Sequence, residues 1–181
     1  MSLKSMTLAL SIALLFGACS DSGENESLLS TSSYELLDLK QTPYKVLKTG
    51  ADFKVEGLED KVIIFDIFAT WCPPCRAAAP NLSSLQKTYK DKVKIIGVLI
   101  EEEKTNAYVQ RFVDAYGAEY SISNAEDNKP LSRALASATG IGQGFPIPLM
   151  VMYYKGKYIN HYIGVVPEEM VESDIKRALG K

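Results

Sequence analysis

The chain has 181 residues, with 20 Lys and Arg against 22 Asp and Glu and a formal net charge of −2. Hydrophobic residues at 46% and charged residues at 23% are ordinary proportions for a globular protein with one sizeable core. The lack of a basic stripe argues against nucleic acid as a partner, and three cysteines, Cys19, Cys72 and Cys75, are too few for a disulfide framework.

In chain order, residues 1–18 read as a targeting segment. Lys4 supplies a positive start, Met6 to Phe16 is an apolar run shorter than the ~20 residues that span a bilayer, and Gly17-Ala18-Cys19 follows with small residues. This arrangement resembles the bacterial lipoprotein signal, whose cysteine becomes the acylated first residue. Phe16 stands where that signal usually carries Leu. The resemblance implies a lipid-anchored, extracytoplasmic protein with Cys19 as its lipidation site. A plain signal peptide cut nearby and a short uncleaved anchor are the competing readings. In each case the domain faces an oxidising space.

Residues 19–33 are rich in Ser, Glu, Asp and Asn and read as a flexible tether, so the folded domain is expected over residues 34–181. Tyr34 to Val55, broken by Pro43 and Gly50, predicts a small hairpin or edge strands. Lys61 to Phe68 is an almost continuous β-branched and aromatic run, the pattern of a buried central strand. Pro73 to Tyr89 carries Ala77, Leu82, Leu85 and Tyr89 at helical spacing. Val93 to Ile100 predicts a second buried strand. Thr105 to Tyr116 reads as a helix stopped by Gly117, with Tyr108, Val109, Phe112 and Val113 on one face. Tyr120 to Ser123 is a short strand, and Asn128-Lys129-Pro130 opens a helix running to about Thr139. Leu149–Tyr154 and Tyr158–Val165 form a hairpin through Lys155-Gly156-Lys157. Pro167-Glu168-Glu169 starts a final helix with acids in its first turn and Lys176-Arg177 in its last. Strands alternating with helices predict an α/β fold whose sheet is mostly parallel, with an antiparallel hairpin at its end.

The chemistry concentrates at Cys72-Pro73-Pro74-Cys75, at the junction of a strand and a helix. A thiol capping a helix faces the positive end of its dipole, which favours the thiolate, the attacking species in disulfide exchange. Cys75, one turn on, is placed to resolve the mixed disulfide. The expectation is an exposed nucleophile, Cys72, and a shielded Cys75. A structural staple of this size closes too small a loop to constrain the unfolded chain much. A zinc site needs about four ligands, and His161, the only histidine, lies far off, so no metal is expected.

Asp66, Trp71-Cys72-Pro73-Pro74-Cys75, Pro80 and Ile147-Pro148 with Lys155-Gly156 following, in that order, resemble the thioredoxin superfamily, and with the secretory segment its TlpA/ResA/CcmG-type branch. The resemblance implies a thioredoxin-like fold: a central mixed sheet flanked by helices, with an N-terminal β extension and an inserted αβ segment. It assigns Asp66 to the proton of the resolving cysteine; a carboxyl in so apolar a strand has a raised pKa that suits an acceptor. An edge or capping aspartate is the alternative. Trp71 is matched to the aromatic that shields the thiol and meets substrate, against plain core packing. Pro148 is matched to the cis-proline opposite the cysteines, with Ile147 offering its backbone to substrate; Pro146 is its rival. Pro73 and Pro74 line the same face, and Pro80 is expected to kink the helix. Many members of the branch carry Glu three residues after the second cysteine, where this chain has Ala78.

The resemblance further implies disulfide-containing protein substrates, apocytochrome c among them, a membrane electron donor of the DsbD/CcdA type, and no cofactor beyond the redox-active disulfide. No dimerisation segment is visible, so a monomer is expected. Pro73 and Pro74 lack backbone N–H groups for the Cys72 thiolate and stiffen the turn toward ring closure; both lower the reduction potential, while Arg76 opposes them. The direction expected is reduction of protein disulfides. A disulfide-forming oxidant or isomerase of the same fold, and a redox-inert binding module, are the alternatives.

Overall fold

The computed structural model describes residues 30–142 and 144–181. The targeting segment, Cys19 and most of the expected tether lie outside the described residues. A five-stranded sheet in the order β6-β5-β4-β7-β8 is built from β4 (Val62–Phe68), β5 (Val93–Leu99), β6 (Ser121–Ser123), β7 (Leu149–Tyr154) and β8 (Lys157–Ile163). Beside it lies a three-stranded antiparallel sheet of β1 (Thr31–Leu37), β2 (Pro43–Thr49) and β3 (Asp52–Val55). The helices are α1 (Pro73–Thr88), α2 (Asn106–Tyr116), α3 (Asn128–Ala138) and α4 (Glu168–Ala178). Among the described residues no helix is long and apolar enough to cross a membrane.

All seven residues of β4 are buried because both faces of the sheet are covered. Val62, Ile64 and Phe68 join Leu82 and Leu85 of α1, Val109 and Phe112 of α2, and Val171 and Ile175 of α4. Ile63, Phe65 and Ile67 point the other way, against Leu131 and Leu135 of α3 and against Leu36, Val46 and Phe53 of the small sheet. Strand periodicity of two thus sorts one continuous apolar run into two cores.

Several boundaries differ from the sequence reading. The central sheet has as many antiparallel pairings (β4–β7, β7–β8) as parallel ones (β4–β5, β5–β6), so it is mixed rather than mostly parallel. Among the described residues strand structure is already present at Thr31, ahead of the expected Tyr34. The Ser-rich stretch pairs Thr31 with Thr49 through Leu37 with Pro43, and an edge strand exposed on one side needs few apolar residues. The inward face of α1 is Cys75, Ala78, Ala79, Leu82 and Leu85, while Ala77 is exposed. Anchoring the helix by an inward Cys75 sets that phase. The β7–β8 hairpin turns at Lys155 and Gly156, both in the left-handed region at φ 51° and 81°, as a two-residue turn of primed type requires.

Asp38 clasps the small sheet to the edge of the large one. Its carboxylate accepts from Lys40 N (2.9 Å), Thr42 N (2.8 Å), Tyr44 Oη (3.3 Å) and Ser121 Oγ (3.1 Å), and its backbone bridges to Ser123. Asp38→Ala strands several donors in a buried place and is expected to lower unfolding free energy by about 3 kcal/mol, read as a lower denaturant midpoint at unchanged slope.

Candidate active site

Cys72 is the N-cap of α1, in extended conformation, with Pro73 and Pro74 in the first two helical positions, where a missing N–H costs nothing. Cys72 and Cys75 form a disulfide across a Cα–Cα distance of 5.3 Å. Neither proline can donate, so the first available donor is the Cys75 N–H, which reaches Cys72 Sγ at 3.3 Å. The sulfur therefore keeps one backbone donor.

Both cysteines are only 3% exposed. Cys75 is shielded as expected. Cys72 is not the exposed nucleophile that the sequence implied: the Ile147 carbonyl oxygen lies 3.7 Å from its Sγ, and both sulfurs join the core cluster under the sheet's α1 face. Trp71 is 60% exposed, which excludes core packing and leaves its indole on the surface beside the pair. Pro73 and Pro74 are exposed on the same rim.

The loop carrying Trp71 is held on three sides. Thr70 N donates to Glu101 Oε2 (2.5 Å), Thr70 Oγ1 meets Tyr108 Oη (3.1 Å), and Arg76 Nε donates to the Thr70 carbonyl (2.7 Å). The Arg76 guanidinium also lies 5.1 Å over the Tyr116 ring. Arg76, expected to stabilise the thiolate, is thus committed to the loop and to α2. Glu101 and Tyr108 carry no motif in the sequence; only the packing of the β5–α2 connection against the β4–α1 loop reveals them.

The Ile147–Pro148 peptide is cis, which decides between Pro148 and Pro146. Pro148 is buried, and its carbonyl accepts from Gly164 N at 2.9 Å, closing the end of the β7–β8 hairpin. Ile147 is half-buried between the two cores and faces the cysteine pair. Pro80 sits inside α1 and is exposed. Ala78 is buried and lines a small hollow with Leu82, Leu85, Met150, Val166 and Val171, with Asn81 and Glu168 at its border.

Asp66 is 2% exposed in the middle of β4, level with Gly97 of β5 and Met150 of β7. Alternation puts it on the face of Ile64 and Phe68, the face that α1 covers with Cys75. An edge or capping role is therefore ruled out. Its Oδ2 accepts from Tyr120 Oη at 2.9 Å, and its Oδ1 has no partner among the described residues. Burial pushes the carboxyl up to about 7, and the Tyr120 hydrogen bond pulls the other way. Burial and the Asp66 charge hold the Tyr120 hydroxyl well above its ordinary range, so it stays a donor. The sequence pattern places Tyr120 only at the start of a short strand.

A buried acid of this kind has a stability signature. The folded chain keeps the Asp66 proton up to about pH 7, while the unfolded chain releases it near the ordinary 3.8. The stability linked to this group is present below pH 3.8 and is lost as pH rises toward 7, a difference of about 4 kcal/mol. Asp66→Asn is expected to flatten that decline. Urea unfolding from pH 4 to pH 8 checks it, and an unchanged slope in the variant would contradict the burial argument.

Comparison with known proteins agrees with this geometry. The Redoxin family model matches residues 37–179. The thiol-disulfide oxidoreductase ResA of Bacillus thuringiensis is 27% identical over 130 residues, covering 71% of this chain and 69% of the relative. The ResA of Halalkalibacterium halodurans is 32% identical over 125 residues, covering 68% and 65%. Among solved structures, StoA from Bacillus subtilis superposes with a TM-score of 0.56 at 18% identity over 79% of this chain and 96% of that one, a likeness of fold. With a family match across nearly the whole described domain and a disulfide at the strand–helix junction, the chain belongs to the Redoxin family, within the thioredoxin superfamily and its ResA-like branch.

Proposed function

We propose that the protein is a thiol–disulfide oxidoreductase that reduces protein disulfides on the outer side of a membrane, tethered there through Cys19. The observation that carries this reading is the Cys72–Cys75 disulfide at the N-terminus of α1, with Asp66 buried on the face beneath and the Ile147 carbonyl beside Cys72.

The exchange runs in two displacements. In the reduced protein the Cys72 thiolate attacks one sulfur of a substrate disulfide, and the other substrate sulfur leaves as a thiolate and takes a proton from solvent. Cys75 then loses its proton to Asp66 and attacks Cys72 Sγ. The Cys72–Cys75 bond forms, the bond to substrate breaks, and the second substrate sulfur departs and is protonated. Two electrons pass to the substrate, and the pair itself carries them, so no further cofactor is needed. Substrate backbone lies along Ile147, ahead of Pro148, as an added strand, with Trp71, Pro73 and Pro74 forming the rim.

The direction rests on the two prolines. A thiolate with a single backbone donor, the Cys75 N–H, is less stabilised than one with three, which favours the disulfide and makes the dithiol a reductant. Apocytochrome c cysteines fit as one substrate class and a DsbD/CcdA-type membrane protein fits as the electron donor; both come from the branch resemblance. A monomer is sufficient for every step.

Cys72→Ser is expected to abolish insulin reduction; equal activity in the variant would leave a redox-inert binding module. Cys75→Ser should trap mixed disulfides whose partners identify the substrates. The Cys72–Cys75 couple is expected below about −200 mV, and a value near −120 mV would make the protein an oxidant.

A further inference from the structure

Tyr120 lies just ahead of β6, at the edge of the sheet, yet its hydroxyl reaches Asp66 on β4, two strands away. The residue between them on β5, level with Asp66, is Gly97. A Cβ on Gly97 would stand 3.1 Å from Tyr120 Cε2, 3.0 Å from Ile122 Cγ1 and 3.2 Å from Phe68 Cε1. Its backbone is not left-handed, so the glycine serves space rather than conformational freedom. The missing side chain is the trough in which the tyrosine ring lies.

The consequence is an asymmetric carboxyl. Oδ2 is held by Tyr120, while Oδ1 is buried with no partner among the described residues and can take a proton. We propose that Tyr120, seated over Gly97, is a positioning residue for the exchange: it orients Asp66 so that Oδ1 receives the Cys75 proton, and it sets the pH at which that transfer works. This rests on the reading of Asp66 as the proton acceptor for Cys75.

The other groups around Asp66 leave Tyr120 as the controlling one. From α1 the groups facing this core are Cys72 and Cys75, and Tyr89 at the C-cap, whose hydroxyl donates to Glu172 Oε1 (2.7 Å). β5 presents Ile95, Gly97 and Leu99, and β7 presents Met150 and Met152. β8 contributes Tyr162, whose hydroxyl is turned to Asp174 of α4 (2.5 Å). From α2, Tyr108 is engaged by Thr70 and Tyr116 by Arg76. Lys94 points to the opposite side, donating to Ser121 Oγ (2.7 Å) over the Tyr44 ring. No cation faces the carboxyl among the described residues, so its charged form is supported by the tyrosine hydroxyl alone.

The test is Tyr120→Phe, which keeps the ring and removes the donor. In the oxidised full chain, the infrared titration of the buried carboxyl, assigned by its loss in Asp66→Asn, should move up by about one pH unit. In the reduced chain, resolution of a mixed disulfide by Cys75 should slow roughly five-fold at pH 7 and recover toward pH 9. Gly97→Ala, which displaces the ring, should shift the midpoint in the same direction. A merely structural role would slow resolution equally at every pH and leave the infrared midpoint in place, and that result overturns the proposal. If the midpoint moves but Asp66→Asn resolves at the parent rate, the proton-acceptor reading of Asp66 fails, and the kinetic part of the proposal falls with it. The hold of Tyr120 on the carboxyl then stands alone.

Discussion

A carboxyl group lies in a strand from which water is excluded on both sides, and the rest of the site is arranged around that fact. β4 is covered by α1 on one face and by the small sheet with α3 on the other, so Asp66 has few ways to be satisfied. Burial alone would hold its proton to a higher pH. One hydroxyl, from a distant edge of the sheet, moderates the penalty without cancelling it. The acid is left near the middle of its titration, where accepting and releasing a proton differ little in free energy.

The helix above imposes the complementary constraint. Its inward phase is anchored at Cys75, so that sulfur enters the same core as the carboxyl, while the capping position leaves Cys72 at the boundary with the Ile147 carbonyl. The two prolines at the helix start remove donors but also let the Cys75 N–H find the capping sulfur. Thr70, gripped by Glu101, Tyr108 and Arg76, keeps the loop in front of the pair from shifting. Chemistry and fold are therefore linked through a short stretch, residues 66 to 76, in which the residues other than the exposed Trp71, Pro73 and Pro74 are held by packing or hydrogen bonds.

What the sequence made legible follows from physics that is local. β4 and β5 stood out because double burial leaves an unbroken apolar run. The cysteine pair stood out because spacing and position on a strand–helix junction are linear features. Pro148 was found by order along the chain. The rest depends on sheet order and helix phase. Tyr120 and Asp66 are 54 residues apart and become partners only because β6, β5 and β4 are neighbours in that order and Gly97 leaves a gap. Strand pairing from Thr31 is hidden in the sequence because an edge strand tolerates Ser and Thr. Ala78 was not distinguished from Ala77 because three alanines in a row carry no phase. The burial of Cys72 was missed because its cover comes from residue 147, across the fold.

That cover has a consequence for how the pair keeps its oxidation state. Exchange requires a thiolate to approach a sulfur along the S–S axis, and a disulfide with so little accessible area offers dissolved small thiols almost no line of attack. Any partner in exchange has to reach the pair past the exposed Trp71, Pro73 and Pro74 and the contact with Ile147.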